Sequence, residues 1–488
     1  MTRRTALQTL AALPALAQSA QRFCGITMMP EWIQHEGIDA VLKNLLERAK
    51  ATAVAISPYV LEPADEKTGT REPPIDADAG KVRLLDRSLW GKRELFVRAV
   101  PSFTPDVRLY KGLRYQPAAV EELTRRQGPV VADFIRAAKS AGLKVYFQVQ
   151  SAIPPGYRVQ FGGPVDVDRP RLPDGRVPPR RVANNASLAS TDVRLYGEAL
   201  IRDLCRAYPQ IDGIRVDWPE YPPYFLDDVF LDFSDPAKTA AARLGFPFEA
   251  MRRDAGDFYK LLHGRLENRH LEPWAAPDGG RSALLEGLAG RPGLLELTRF
   301  KAVLSEELLA GFRSALTSAG GAEKELVPNA FPPPFHLASG MDYARAGHHS
   351  ASISVKLYTM HWPMMLRFYG DAMLKANPGV SEKLLVQALV RWFDIADEGG
   401  RERLADWAYP EPGEPHPVGA KAQARKIQEA QASAGSTPVI ALAHAYGPLD
   451  DFRRRVKVAY EAAGRRVWVN RYGYLSNAKL DAMREVCT

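Results

Sequence analysis

The sequence predicts one large (β/α)8 barrel, the TIM-barrel architecture, carrying long βα-loop insertions. Three observations lead there. Eight short apolar runs alternate with amphipathic stretches of helical period, the pattern of βα units on a parallel sheet. The runs are unevenly spaced, with the longest intervening segments after runs two, three and four. The runs also end in polar and aromatic residues, where a barrel builds its functional face.

The eight runs are Phe23–Met28, Ala53–Ser57, Val145–Val149, Ile211–Asp217, Leu326–Ala330, Ile353–Tyr358, Val439–His444 and Arg466–Tyr472. Helical stripes lie between them. Val130, Phe134, Ile135 and Ala138 share one face of a helix that Gly142 ends. Val193, Tyr196, Leu200 and Leu204 form another, and Leu384, Leu385, Ala388, Leu389 and Trp392 a third. All three stripes read as core. Long loops are expected at about Pro58–Arg126 and around Pro154–Ala189, and the segment from Pro222 toward Leu297 must contain helices. A last helix is expected near Ala478–Val486.

Composition sets the outer limits. The 488 residues are 46% hydrophobic and 25% charged, enough apolar matter for a sizeable core. The 38 Pro and 37 Gly fit long structured loops. The formal charge is +8, of which Arg3 and Arg4 supply two, leaving +6 on the remainder. Basic and acidic residues are interleaved, with no basic stripe of the kind that grips nucleic acid. Cys24, Cys205 and Cys487 form no CxxC, and their odd number cannot build a disulfide scaffold, although one bridge is compatible with an oxidising compartment.

The first twenty residues read as an export signal. Arg3-Arg4 make a charged start, Leu10, Leu13 and Leu16 mark a short apolar stretch, and Ala15–Ala20 offers a small-residue cleavage zone. The paired arginines resemble a twin-arginine signal. The competing reading is an amphipathic N-terminal helix of a cytosolic protein. The expected organisation is therefore a signal over residues 1–20 and a single barrel domain over residues 21–488. Periplasmic or secreted localisation follows, with the export machinery as a partner. No segment reaches the about 20 apolar residues of a membrane span.

The most informative segment is Asp212-Gly213-Ile214-Arg215-Val216-Asp217-Trp218-Pro219-Glu220-Tyr221-Pro222. Strand alternation turns Ile214 and Val216 toward the helices and Gly213, Arg215 and Asp217 into the barrel. Asp217 then ends the strand at the catalytic face, with Arg215 one layer below. A guanidinium close to a carboxylate favours its charged form, so Asp217 is expected as an anion, suited to a nucleophile or to stabilising a cationic anomeric carbon. Glu220, three residues on among aromatics, is the expected general acid. The bland alternatives are an N-cap for Asp217 and a satisfied ion pair for Arg215.

This segment resembles strand four of α-amylase-type glycosidases, where the aspartate of Arg-x-Asp is the nucleophile. It is also similar to the Asp-Gly-x-x-x-Asp-Trp-Glu-Tyr-Pro segment of chitinases, with Arg215 where those have an aspartate and Pro219 inserted before the glutamate. Each resemblance covers about a dozen residues. The amylase pattern is departed from at strand five, Leu326-Val327-Pro328-Asn329-Ala330, which has no acid glutamate, and at strand seven, which has no partner aspartate. The wider layout resembles secreted bacterial glycoside hydrolases with TIM barrels, which implies carbohydrate as substrate and no cofactor.

Other strand ends carry what a sugar site uses, aromatic platforms for CH faces and amide, imidazole or ammonium groups for hydroxyls. The expected substrate contacts are Arg215 and Trp218, Gln148 on strand three, Asn329 on strand five, and Lys356, Tyr358 and His361 on and after strand six. His444 and Tyr446 belong to strand seven, Asn470 and Tyr472 to strand eight. Glu31, Asp342 and Asp451 are rivals of Glu220 for the second carboxylate. Two other readings compete with a hydrolase: a non-catalytic carbohydrate binder on a degenerate barrel, and a metal-dependent hydrolase using His361 and His444. No ligand spacing specifies a metal.

Overall fold

A computed structural model describes residues 22–72, 85–91, 95–158, 161–276, 280–397 and 400–488. The expected export signal lies outside the described residues. Eight parallel strands close into a barrel: β1 Phe23–Thr27, β2 Ala53–Ile56, β3 Lys144–Gln150, β4 Gly213–Asp217, β5 Glu325–Ala330, β6 Ile353–Leu357, β7 Val439–His444 and β8 Arg466–Asn470. Each pairs with its chain neighbours, and β8 closes on β1 with Gly25 opposite Trp468. All eight expected runs are barrel strands, with ends moved by one or two residues.

The helical stripes face the core, except that Val131 rather than the expected Val130 is buried and that Leu384 and Trp392 are only partly buried. Helix Pro129–Ser140 buries Val131, Phe134, Ile135 and Ala138 and stops before Gly142 at φ +82°. Helix Thr191–Ala207 buries Val193, Tyr196, Leu200 and Leu204, and the Ser190 hydroxyl caps its start by accepting from the Val193 amide. The segment after β4 holds several helices, ending in the long Pro292–Gly320, which packs along Thr191–Ala207. Among the described residues no helix is long and apolar enough to cross a membrane.

The segment after β2 departs from a plain loop. Tyr59–Ala64, Thr70–Glu72 and Leu95–Pro101 form a three-stranded antiparallel sheet, with Val60 opposite Val100 and Glu62 opposite Arg98. Its strands are short and far apart in sequence, so no turn signal announces the pairing.

Inside the barrel, side chains stack in layers set by strand alternation. Ala53, Ala55, Tyr146, Val327, Ile440, Leu442 and Trp468 form one apolar cluster among them. Trp468 claims the space beside β1: a Cβ on Gly25 would lie 2.2 Å from its Cε3. Glycine at position 25 is therefore a packing requirement.

Candidate active site

The site rises from this layered core. Arg215 is fully buried and lays its guanidinium 4.0 Å from the Trp468 ring centroid. Its Nη1 donates to Gln148 Oε1 at 3.1 Å, and its Nη2 donates to Asn329 Oδ1 at 2.8 Å and Ser354 Oγ at 3.0 Å. β3, β4, β5 and β6 are thereby tied together beneath the barrel mouth. Burial pulls the Arg215 pKa down to about 10, against the opposing pull of Asp217, so the group is still a cation at neutral pH.

Asp217 stands one layer higher. Its Oδ1 lies 2.8 Å from Lys356 Nζ of β6, and the two side chains are 14% and 3% exposed. The direct countercharge of Asp217 is thus Lys356, and Arg215, expected in that role, acts on it only through space. The Asp217 carbonyl is held by the backbone amide and hydroxyl of Ser151 at 3.0 and 2.8 Å, which fixes the strand end. Trp218 follows at φ +51°, a left-handed conformation that costs a residue of its bulk about 1–3 kcal/mol. Its ring and that of Phe331 each lie 5.1 Å from Lys356 Nζ.

Above this pair the strand C-termini enclose a cavity of about 310 Å³. Asp217, Trp218, Gln148, Tyr358, His361, His444 and Asn470, all expected contacts, line it together. The Tyr358 ring stands edge-on to His361 and His444, with centroids 5.3 and 5.0 Å away. His444 Nδ1 accepts from the Tyr446 amide at 3.1 Å, so a neutral ring carries its proton on Nε2. His361 Nδ1 lies 3.3 Å from the Tyr224 hydroxyl. Among the described residues no group of three or more His, Cys, Asp or Glu side chains is placed to hold a metal ion.

Other expected site residues lie elsewhere. Arg215, Lys356 and Asn329 do not line the cavity: Asn329 accepts from the Arg215 guanidinium and Lys356 pairs with Asp217. Glu220 is fully buried behind the wall, with Oε1 accepting from the Phe331 amide at 2.8 Å and Oε2 from Ser339 Oγ at 2.5 Å. Burial raises its pKa to about 7, with Lys356 pulling the other way. A raised value had suggested a general acid, but Glu220 does not line the cavity. The Tyr446 hydroxyl donates to the Pro410 carbonyl, and the Tyr472 hydroxyl donates to Glu36 Oε2 and accepts from Asn44, so neither lines the cavity. β8 ends at Asn470, two residues short of the expected run, which removes Tyr472 from the inward row.

The rival carboxylates are also engaged. Asp342 caps helix Tyr343–Gly347. Asp451 binds Arg455 and Arg454 at 2.6 and 2.5 Å. Glu31 lies 3.3 Å from Arg158 Nη1 and accepts from the Tyr59 hydroxyl at 3.3 Å. Sequence reasoning missed Tyr59, Tyr157, Arg158, Tyr224 and Arg471, all of which line the cavity. Thr27 and Ser57 also line it, and strand alternation alone could have found them.

No family model matches the sequence, and no curated protein sequence matches it. Solved structures of similar fold include the catalytic domain of β-amylase from Paenibacillus polymyxa, at TM-score 0.48 and 10% identity over 95% of this chain and 97% of that one. The β-galactosidase of the psychrophilic Marinomonas ef1 aligns at TM-score 0.48 and 10% identity, over 94% of this chain and 58% of its own. The PgaB (BpsB) glycoside hydrolase domain from Bordetella bronchiseptica aligns at TM-score 0.40 and 13% identity, over 91% and 99%. The functional reading rests on the cavity's own residues.

Proposed function

We propose that this chain is an exported glycoside hydrolase that cleaves an O-glycosidic bond at the C-terminal mouth of its barrel. The observation that carries the reading is Asp217, ion-paired with Lys356 on the floor of an aromatic-walled cavity. An acceptor-only carboxylate there is placed to attack an anomeric carbon or to stabilise its positive charge. Around it, Gln150 Oε1, the Tyr157 hydroxyl and Trp218 Nε1 are buried without hydrogen-bond partners among the described residues, although all three residues line the cavity. Such orphaned groups are costly unless a ligand's hydroxyls satisfy them. With Glu220 sealed in the wall, the leaving-group proton falls to His361 in its imidazolium form, since His444 Nδ1 accepts from the Tyr446 amide and holds that ring neutral. The N-terminal arginine pair and small-residue zone support delivery to the periplasm or beyond.

The test is reducing-sugar release from a broad oligosaccharide and polysaccharide panel by the mature protein and by Asp217→Asn. Wild-type release with a loss of about 10²–10⁴-fold in the folded variant is expected. Wild-type activity in the variant would remove Asp217 from the chemistry. A second reading, a carbohydrate-binding protein on a hydrolase barrel, is favoured by one observation: among the described lining residues Asp217 is the one carboxylate. Most glycosidases use two. Binding without release by the wild type would establish that reading.

A further inference from the structure

The cavity is electrostatically two-sided. Asp217 enters from β4 with Lys356 at its side. In the closed order of eight strands, β8 stands opposite β4, and Arg471, the residue after β8, lines the cavity there. Its guanidinium packs 5.6 Å from the Tyr474 ring centroid. Arg158 joins from the loop after β3 and reaches the β1–β2 sector, where Glu31 lies 3.3 Å away and the Phe161 ring centroid 5.6 Å. Arg158 is only 6% exposed, so its charge is built into the wall. A guanidinium carries five N–H donors in a planar fork, enough to serve a protein partner and a ligand at once. Carboxylates are the ligands that match this fork best.

We propose that the sugar bound here is a uronic acid, with its carboxylate held by Arg471 and Arg158 on the side away from the anomeric carbon at Asp217. The inference rests on the glycoside-hydrolase reading of the cavity. A neutral hexose offers these two guanidiniums only hydroxyl acceptors, whereas a uronate offers charge-assisted, bidentate ones. The volume of about 310 Å³ is at the small end for ligand sites, which suits one terminal unit.

The experiment compares the mature full-length protein on 4-nitrophenyl α- and β-glucuronides and galacturonides with the matching glucosides and galactosides. Calorimetric binding of free glucuronate, galacturonate, glucose and glucose 6-sulfate runs alongside. A uronate is expected to bind or turn over at least about tenfold better than its neutral counterpart, as a charge-assisted hydrogen bond warrants. Arg471→Gln should abolish that ratio. Arg158→Lys, which keeps the charge beside Glu31 but loses the fork, should reduce it, with folding verified by thermal melting. Equal or better handling of neutral sugars would overturn the uronate inference and leave the glycosidase reading intact. Glucose 6-sulfate binding without glucuronate binding would overturn it too. Uronate binding without turnover would sustain it and overturn hydrolysis, while silence toward every sugar would overturn both.

Discussion

Glu220 makes a test of how burial sets chemistry in this wall. Its Oε2 and the His336 carbonyl both lie within reach of Ser339 Oγ, at 2.5 and 2.9 Å, yet the hydroxyl has one proton to give. A protonated Glu220 resolves the competition: its own O–H donates to Ser339 Oγ, and the serine donates to His336. Burial thus favours the neutral acid and lifts the pKa from 4.5 to about 7, against the Lys356 ammonium. Between those values the folded chain holds a proton that the unfolded chain has released. The group's stabilising contribution is therefore complete below pH 4.5 and is lost as pH rises toward 7. The gap amounts to about 3 kcal/mol.

Glu220→Gln keeps the donor to Ser339 and the acceptor for Phe331, but it cannot titrate. Urea unfolding of the wild type and E220Q at pH 4 and pH 8 isolates the group, because every other titration is shared. The stability of E220Q relative to wild type should rise by about 3 kcal/mol between the two pH values. A difference that stays flat with pH would show that Glu220 is an anion in the fold and would refute the reasoning. Hydrolytic activity should survive the substitution. A folded E220Q that has lost about a hundredfold or more in turnover would restore Glu220 as the general acid.

Three further outcomes follow from the packing. Lys356→Met strips Asp217 of its buried partner and should cost about 3–5 kcal/mol by denaturant unfolding, with part recovered when Asp217 is also made Leu; an additive double mutant would deny the pairing. Gly25→Ala drives a methyl into Trp468 and should cost about 1–3 kcal/mol or more, read as a lowered melting temperature; an unchanged melting temperature would mean that Trp468 has room to yield. Cys24 and Cys487 are both buried and each thiol shifts the titration of the other, so protein recovered from an oxidising compartment and denatured without reductant should titrate one thiol, Cys205, whereas cytoplasmic protein should titrate three. Three thiols in the exported protein would deny that pairing.

The barrel was legible because its strands obey a period of two between helices that obey 3.6. The same rule reached the site as far as the strands extend. Gln148, Asp217, His444 and Asn470 sit on inward rows and line the cavity, and Arg215, Asn329 and Lys356 share those rows without lining it. Which cation would meet Asp217 was not legible, because Arg215 and Lys356 come from different strands. Their partners depend on the register between β4 and its neighbours, a tertiary fact.

Past the strand ends the period stops, and the larger displacements fall there. Trp218 takes a left-handed conformation directly after Asp217, so the chain leaves the strand direction and carries Glu220 into the wall, although only two residues separate the two carboxylates. β8 ends at Asn470, and Tyr472 begins a short 3-10 turn directed at Glu36 and Asn44. Tyr157 and Arg158 belong to a loop with no repeat to read, and Arg471 lies one residue beyond the last inward position. Proximity in sequence to a catalytic candidate is thus weak evidence of proximity to substrate. In a barrel the inward row carries that evidence up to the last hydrogen-bonded residue, and from there specificity passes to loops whose geometry is set by what they pack against. That division also separates the two proposals: the chemistry rests on a strand residue, Asp217, and the choice of sugar on two loop arginines, so either can fail without the other.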